Sequence, residues 1–375
     1  MNVYLDNAAT TPIDKRVVDA MLPYLTEQFG NPSSTHAFGR KNKAAIELSR
    51  KKVAELLHTV PGAICFTSGG TEADNMAIHC GIQDLGRTHF ITSKIEHHAV
   101  LHTLQELEKK KFIQLHYVNL DDRGMVDLNH LESLLSELDN VMVSLMHGNN
   151  EIGNLLPLEQ VGELCRKHNA IFHSDTVQTM GHYPFDLSQL NVDFITGAAH
   201  KFHGPKGIGF LYTNPKIKTN AFIYGGSQER NLRGGTENLY GIIGLSKALE
   251  LCHEDMNNHQ QQISELKTYL VEQLRQVIPE IAFNGNSAEK ESLYTVLNVR
   301  FPKHELGSML LFNLDIEGVA VSGGSACSSG SNQGSHVLRT LGIDSEHPSV
   351  RFSFSRYNTK EEIDFCMEKI KKIYN

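Results

Sequence analysis

No apolar run in the 375 residues reaches the roughly 20 residues that a helix needs to cross a bilayer. The opening MNVYLDNAATT has no basic stretch leading into an apolar one, so it does not read as an export signal, and the expected location is the cytoplasm. No CxxC pair occurs. The six cysteines, at 65, 80, 165, 252, 327 and 366, are scattered, which argues against a disulfide framework and against a structural zinc site. Positive charge is in deficit, with 35 Lys and Arg against 43 Asp and Glu and a formal net charge of -8, so a nucleic acid is not an expected partner. Internal repeats and low-complexity tracts are also missing. What remains is an ordinary globular composition on a chain long enough for one large domain and a smaller one.

What the sequence does contain is an alternation of two periodicities. A first helix begins around Asp14, and a second is predicted over 44–57, where Ile46, Val53, Leu56 and Leu57 share a face. Pro61-Gly62 ends it. From there strands over 64–67, 89–92, 113–119, 141–146 and 170–172 take turns with helices over 72–85, 98–109, 128–138 and 158–168. Strand and helix in turn predict an α/β fold whose mostly parallel sheet is covered by helices on both faces. A glycine-rich loop over 225–235 leads to long helices at 239–255 and 259–277. Strands at 294–299 and 350–354 and helices at 306–314 and 360–373 complete the chain. The expected division is a large domain over 14–255 and a smaller α+β domain formed by 1–13 and 256–375.

The chemistry is expected to centre on 170–211. Asp175 follows the apolar run Ala170-Ile171-Phe172, and Lys201 follows a second run at 192–195, which places each charge at the edge of a buried sheet. Glycines crowd the lysine in Lys201-Phe202-His203-Gly204-Pro205-Lys206-Gly207, turn residues that let the backbone approach a ligand before the chain returns as a strand. An acid and a lysine on neighbouring strand ends suit pyridoxal 5'-phosphate, whose ring nitrogen pairs with Asp and whose aldehyde reacts with Lys.

Three other strand ends carry polar motifs. Thr67-Ser68-Gly69-Gly70-Thr71-Glu72 joins a strand to a helix and could seat a phosphate on free backbone N–H groups; a plain turn with a threonine cap explains the same residues. Glu96-His97-His98 offers an imidazole to stack on a planar ring, or a polar helix start. Zinc is not expected, because the histidine pair lacks the i,i+4 spacing of a metal-binding helix. Asn149-Asn150 offers amide hydrogen bonds, or a turn. Cys327 differs from the other cysteines: it lies in Ser322-Gly323-Gly324-Ser325-Ala326-Cys327-Ser328-Ser329-Gly330, which has almost no side chain able to pack, and an exposed loop is where a reactive thiolate is useful.

Taken together, these stretches resemble the pyridoxal-phosphate-dependent class V aminotransferases, and specifically the cysteine desulfurases that serve iron-sulfur and nitrogenase cluster assembly. The likeness runs over almost the whole chain. It rests on Tyr4-Leu5-Asp6-Asn7-Ala8-Ala9-Thr10-Thr11, Gly30-Asn31-Pro32-Ser33-Ser34, 67–75, Glu96-His97, Asn149-Asn150-Glu151-Ile152-Gly153, 173–178, His200-Lys201, 233–238, Ser325-Ala326-Cys327-Ser328 and Arg351-Phe352-Ser353. The resemblance implies a fold type I pyridoxal-phosphate transferase with Lys201 as covalent anchor and base, Asp175 on the ring nitrogen and His97 on the ring face. It further implies Asn150 and Gln178 at the ring oxygen and Gly70, Thr71 and His200 at the phosphate. Thr236 would reach the neighbouring subunit's phosphate in a homodimer, and Asn31 and Arg351 would hold the substrate carboxylate. L-Cysteine is then the substrate, Cys327 takes its sulfur as a persulfide, and an acceptor or iron-sulfur scaffold protein receives it. Two departures stand out. Ala198 occupies a place where the family usually has Ser or Thr, which implies weaker cofactor retention, and Gly323-Gly324 follow Ser322 where a serine is common. The chain ends at Asn375 without the longer tail through which some relatives dock a scaffold, so the acceptor stays open. Another class V enzyme, a selenocysteine lyase or small-amino-acid transaminase, would share the cofactor residues without needing Cys327. A non-catalytic scaffold would need none of them.

Overall fold

The structure, a computed structural model, describes residues 1–304, 307–323, 334–344 and 347–374. A two-residue strand β1 (Val3–Tyr4) and helices α1 (Lys15–Thr26) and α2 (Ala37–Leu56) lead into the alternation. It runs β2 (Ile64–Thr67), α3 (Gly70–Gln83), β3 (His89–Thr92), α4 (His98–Lys109), β4 (Gln114–Tyr117), α5 (Leu128–Glu137), β5 (Val141–Ser144), α6 (Leu158–Lys167), β6 (Ile171–Asp175), β7 (Phe194–Ala198) and β8 (Gly209–Thr213). These strands form one seven-stranded sheet in the order β2-β8-β7-β6-β5-β3-β4. Only β8 runs antiparallel to its neighbours β2 and β7; the other pairs are parallel.

Successive residues of each strand go to opposite faces, and both faces are covered. Phe66, Ile91, Val143, Phe172, Ile195 and Phe210 enter a core shared with α1, α2, α5, α6 and α7 (Leu239–Glu254). Their neighbours Cys65, Phe90, Met142, Phe194 and Leu211 enter a second core with α3 and α4. Beyond α7 follow α8 (Met256–Val277), β9 (Ala282–Phe283), β10 (Val296–Arg300), α9 (Leu310–Ile316), β11 (Val319–Ala320), α10 (His336–Thr340), β12 (Ser349–Ser353) and α11 (Lys360–Tyr374). An antiparallel sheet β12-β10-β9 and the parallel pair β1-β11 belong to a third core, which takes Val3 and Leu5 from the start of the chain and residues between 263 and 370. Tyr183 packs against both the first and the third core. Among the described residues no helix is long and apolar enough to cross a membrane.

Some expected boundaries move for identifiable reasons. Helix α2 starts at Ala37 rather than 44, capped by His36, whose Nδ1 accepts from Gly39 N at 3.2 Å. Its buried face there carries Asn42, whose Nδ2 donates to the carbonyls of Gln28 (3.0 Å) and Gly30 (2.6 Å), so the apolar period is interrupted by an amide that holds the preceding loop. Strand β6 runs on to Asp175 because its polar residues His173 and Ser174 are buried and bonded to Ser144 Oγ and the Leu145 carbonyl. The strand expected at 294–299 forms at Val296–Arg300.

Candidate active site

The carboxyl ends of the parallel strands lie along one edge of the large sheet, the side where open α/β sheets bind ligands. A cavity of about 200 Å³ opens there. Gly70 and Thr71 reach it from the start of α3, His97 from the turn after β3, and Met146 and Asn150 from the loop after β5. Asp175 ends β6, Ala198 ends β7, and His200 and Lys201 follow it. Ala8, Ala9 and Arg351 close it from the side of the third core. Of the residues singled out from the sequence, Lys201, Asp175, His97, Gly70, Thr71, Asn150, Gln178, His200 and Arg351 thus line one space. Asn31 and Thr236 do not; both are exposed on neighbouring loops joined by Gln228 Nε2 and Ser33 Oγ at 3.5 Å. Cys327 lies outside the described residues.

Each wall has a local cause. Helix α3 begins at Gly70 with no side-chain cap, which leaves its first-turn N–H groups to a ligand. A Cβ on Gly70 would come within 2.6 Å of Val177 Cγ2, so only glycine keeps this corner open. His97 caps α4, its Nδ1 accepting from Ala99 N at 3.2 Å, and Glu96 behind it is clamped by Ser93 Oγ (2.8 Å) and Met146 N (2.9 Å). Lys201 Nζ donates to the carbonyls of Ala8 (2.5 Å) and Ala9 (3.0 Å), and Gln178 Nε2 also donates to Ala8 at 3.1 Å. The loop that carries these carbonyls is tied down in turn, Thr11 Oγ1 donating to the His200 carbonyl and accepting from His203 N. Arg351 Nη1 donates to the Asn150 carbonyl at 2.8 Å and Nη2 to Asp6 Oδ1 at 2.9 Å, while its buried Nε has no hydrogen-bond partner among the described residues.

Burial sets the charges. Asp175 accepts a hydrogen bond from Val177 N at 2.9 Å, yet burial, and then the nearby Asp74, raise its pKa. Burial pushes His200 down to about 4, with Lys201 and Lys206 adding to it, so its imidazole is neutral beside the lysine. Burial also pushes the thiols of Cys80 and Cys366 up to about 12 and that of Cys252 up to about 11, which suppresses their thiolates. Asp74, Asp6 and the two alanine carbonyls escaped the sequence reading. Asp74 was the findable one: four residues after Gly70, it shares that residue's helix face.

The chain belongs to the class-V aminotransferase family, whose sequence pattern it matches over residues 3–365. Within that family its group is the cysteine desulfurases. It is 43% identical to the cysteine desulfurase IscS of Dictyoglomus turgidum over 99% of this chain and 94% of the relative. Among solved structures, a NifS-like protein superposes with a TM-score of 0.91 at 37% identity, covering 100% of this chain and 99% of the other. SspA in complex with cysteine superposes with a TM-score of 0.80 at 31% identity, covering 95% and 100%.

Proposed function

We propose that this enzyme is a pyridoxal-phosphate-dependent cysteine desulfurase that converts L-cysteine to L-alanine and passes the sulfur to an acceptor protein for iron-sulfur cluster or other sulfur-cofactor synthesis. The observation that carries the reading is the convergence of Lys201 and Asp175 on one cavity beneath an uncapped helix start. The residues present fit the cofactor: a positive helix end beside Thr71 and His200 suits a phosphate, a corner that any Cβ at Gly70 would fill is kept open, and a buried carboxylate awaits a ring N–H.

When bound, pyridoxal phosphate supplies an electron sink for the substrate α-carbon. The other tasks fall to the protein. Lys201 would anchor the cofactor and, as a free amine, would take the substrate α-proton at Nζ. Asp175 keeps the ring nitrogen protonated, His97 covers a ring face, and Asn150 and Gln178 serve the ring oxygen. Gly70, Thr71 and His200 hold the phosphate, and Arg351 orients the substrate carboxylate with the Nε that has no partner of its own. Cys327 is the nucleophile: its thiolate attacks the substrate sulfur, an S–S bond forms as the C–S bond breaks, and L-alanine leaves a persulfide behind.

A homodimer follows from the same reading. Asn31 and Thr236 stand on one exposed edge, together with Leu22, Leu25, Phe29, Phe38 and Tyr224, large apolar side chains that a second copy would cover. Asn31 would then serve the partner's carboxylate and Thr236 the partner's phosphate. The two large cores, one drawn from 17–252 and the other from 3–5 and 263–370, would behave as the two domains.

The test is to mix the purified protein, loaded with pyridoxal phosphate, with L-cysteine and a reductant, and to measure alanine and sulfide together. Equal amounts are expected from the wild type and neither from Cys327→Ala. Sulfide released by Cys327→Ala at the wild-type rate would overturn the reading in favour of a lyase that needs no enzyme thiol.

A further inference from the structure

Three carboxyl groups are shut in around the cavity: Asp74 on α3, Glu96 before α4 and Asp175 at the end of β6, at 1%, 1% and 5% exposure. A dry site does not hold three negative charges, and hydrogen-bond partners decide which group keeps one. Glu96 is bonded through both oxygens, and burial pushes its pKa up to about 8. Asp175 has the Val177 N–H, a donor that favours the anion. Asp74 Oδ1 has no hydrogen-bond partner among the described residues, and burial outweighs the nearby His97 and the Thr196 side chain, which favour its anion.

That oxygen faces Nε2 of His173 at 3.4 Å, and Nε2 is buried and without a hydrogen-bond partner as well. His173 is fully buried, and its Nδ1 is engaged with Ser144 Oγ at 2.8 Å. Burial pushes His173 down to about 4 and so keeps it neutral, while the same burial raises Asp74. A single proton between Asp74 Oδ1 and Nε2 gives both atoms a partner, and with three carboxyl groups buried together its place is on Asp74, where it removes a charge. It also fixes the tautomer, since His173 must then carry its own proton on Nδ1 and donate it to Ser144. One ligand atom from each of Asp74, His97 and Asp175 lies within 4.8 Å of the others, so this proton sits close to the group that would face the cofactor ring.

We propose that Asp74 is a proton-bearing carboxyl, paired with His173, that leaves Asp175 as the single anion facing the cofactor ring. Asp74 is a positioning residue: it acts through Asp175, and the inference rests on the cofactor reading above. An ionised Asp74 would compete with Asp175 for the ring proton and repel it; a neutral one fills the space and hydrogen-bonds without adding charge.

The experiment uses the full-length holoenzyme. Infrared difference spectra at neutral pH are expected to contain a protonated-carboxyl stretch that disappears in Asp74→Asn, and 15N spectra to report His173 as the Nδ1–H tautomer. Asp74→Ala is expected to weaken pyridoxal phosphate binding by about tenfold, the scale of a lost buried hydrogen bond, and the neutral isostere Asp74→Asn to restore it. No carboxyl band dependent on Asp74, or Asp74→Asn binding as weakly as Asp74→Ala, would overturn the proposal. Should Asp74→Ala not fold, the wild-type band and the His173 tautomer decide. A wild-type protein that takes up no pyridoxal phosphate sinks both the cofactor reading and this one; uptake without the Asp74 band sinks only this one.

Discussion

Arg351 Nη2 and Asp6 Oδ1 meet at 2.9 Å, so the guanidinium that lines the cavity is gripped by the residues of the N-terminal loop. With Nη1 on the Asn150 carbonyl, the fork is fixed in plane and its Nε edge is left for a carboxylate.

A lysine could not make these contacts at once, because an ammonium lacks the planar fork. Arg351→Lys is expected to raise KM for L-cysteine by about tenfold or more, the cost of one charge-assisted bond, with a smaller change in kcat. Steady-state kinetics check this. An unchanged KM would remove Arg351 from the substrate's carboxylate.

Ala198 lines the cavity, and its Cβ is 3.7 Å from where a Cβ on Gly70 would stand, at the end proposed for the phosphate. A hydroxyl there gains a charge-assisted hydrogen bond. Ala198→Ser is expected to tighten pyridoxal phosphate binding by about tenfold, read by absorbance titration of the apoprotein. No change in the dissociation constant would mean that the missing hydroxyl is already compensated.

Arg50 and Glu229 form a buried ion pair, Nη1 to Oε2 at 2.6 Å and Nη2 to Oε1 at 2.8 Å, and Oε2 also accepts from Phe66 N. Glu229, Arg230 and Asn231 all have positive φ, so this contact holds a left-handed turn in place. Glu229→Ala takes both carboxylate oxygens from the buried Arg50 Nη1 and Nη2, leaving the guanidinium only the hydrogen bonds to Glu47 at 3.1 Å and the Ile64 carbonyl at 2.9 Å among the described residues, and is expected to cost roughly 3–5 kcal/mol. Urea unfolding measures it, and a loss under about 1 kcal/mol would show that the turn holds itself.

His147 donates to or accepts from Thr179 Oγ1 at 2.9 Å, and burial pushes its pKa down to about 4. In the unfolded chain it takes up a proton near pH 6.5. Its stabilising share is therefore complete above that pH and is lost as pH falls toward 4, by up to about 1.4 kcal/mol per pH unit. Glu96, pushed up, has the opposite slope, so the comparison must be differential. The stability gap between wild type and His147→Gln is expected to narrow from pH 6.5 to 5; a gap independent of pH would mean that His147 is not held neutral.

The sheet was legible because its strands are nearly continuous apolar runs, and Asp175 and Lys201 were legible because each is a charge that interrupts such a run at its end. Asn42 was not, because a polar residue on a helix is assigned to solvent until its packed neighbours reveal that it is inside; Asp74 was within reach of spacing alone, four residues after Gly70 on the same helix face. Asp6 gave no local sign either, since its partner lies 345 residues away. Asn31 and Thr236 pose a different difficulty, because their proposed work is done in another copy of the chain.

The loop that receives the Lys201 ammonium has its own supports far downstream: Val3 pairs with Val319, Asp6 with Arg351, and Asn7 Nδ2 donates to the Ser353 carbonyl. During synthesis residues 3–9 leave the ribosome hundreds of residues before those partners do. Among the earliest segments made, they are among the last to find their place, and the cavity cannot be complete until translation has passed Ser353. A bulky purification tag fused just ahead of Val3 would therefore burden the piece that must dock last.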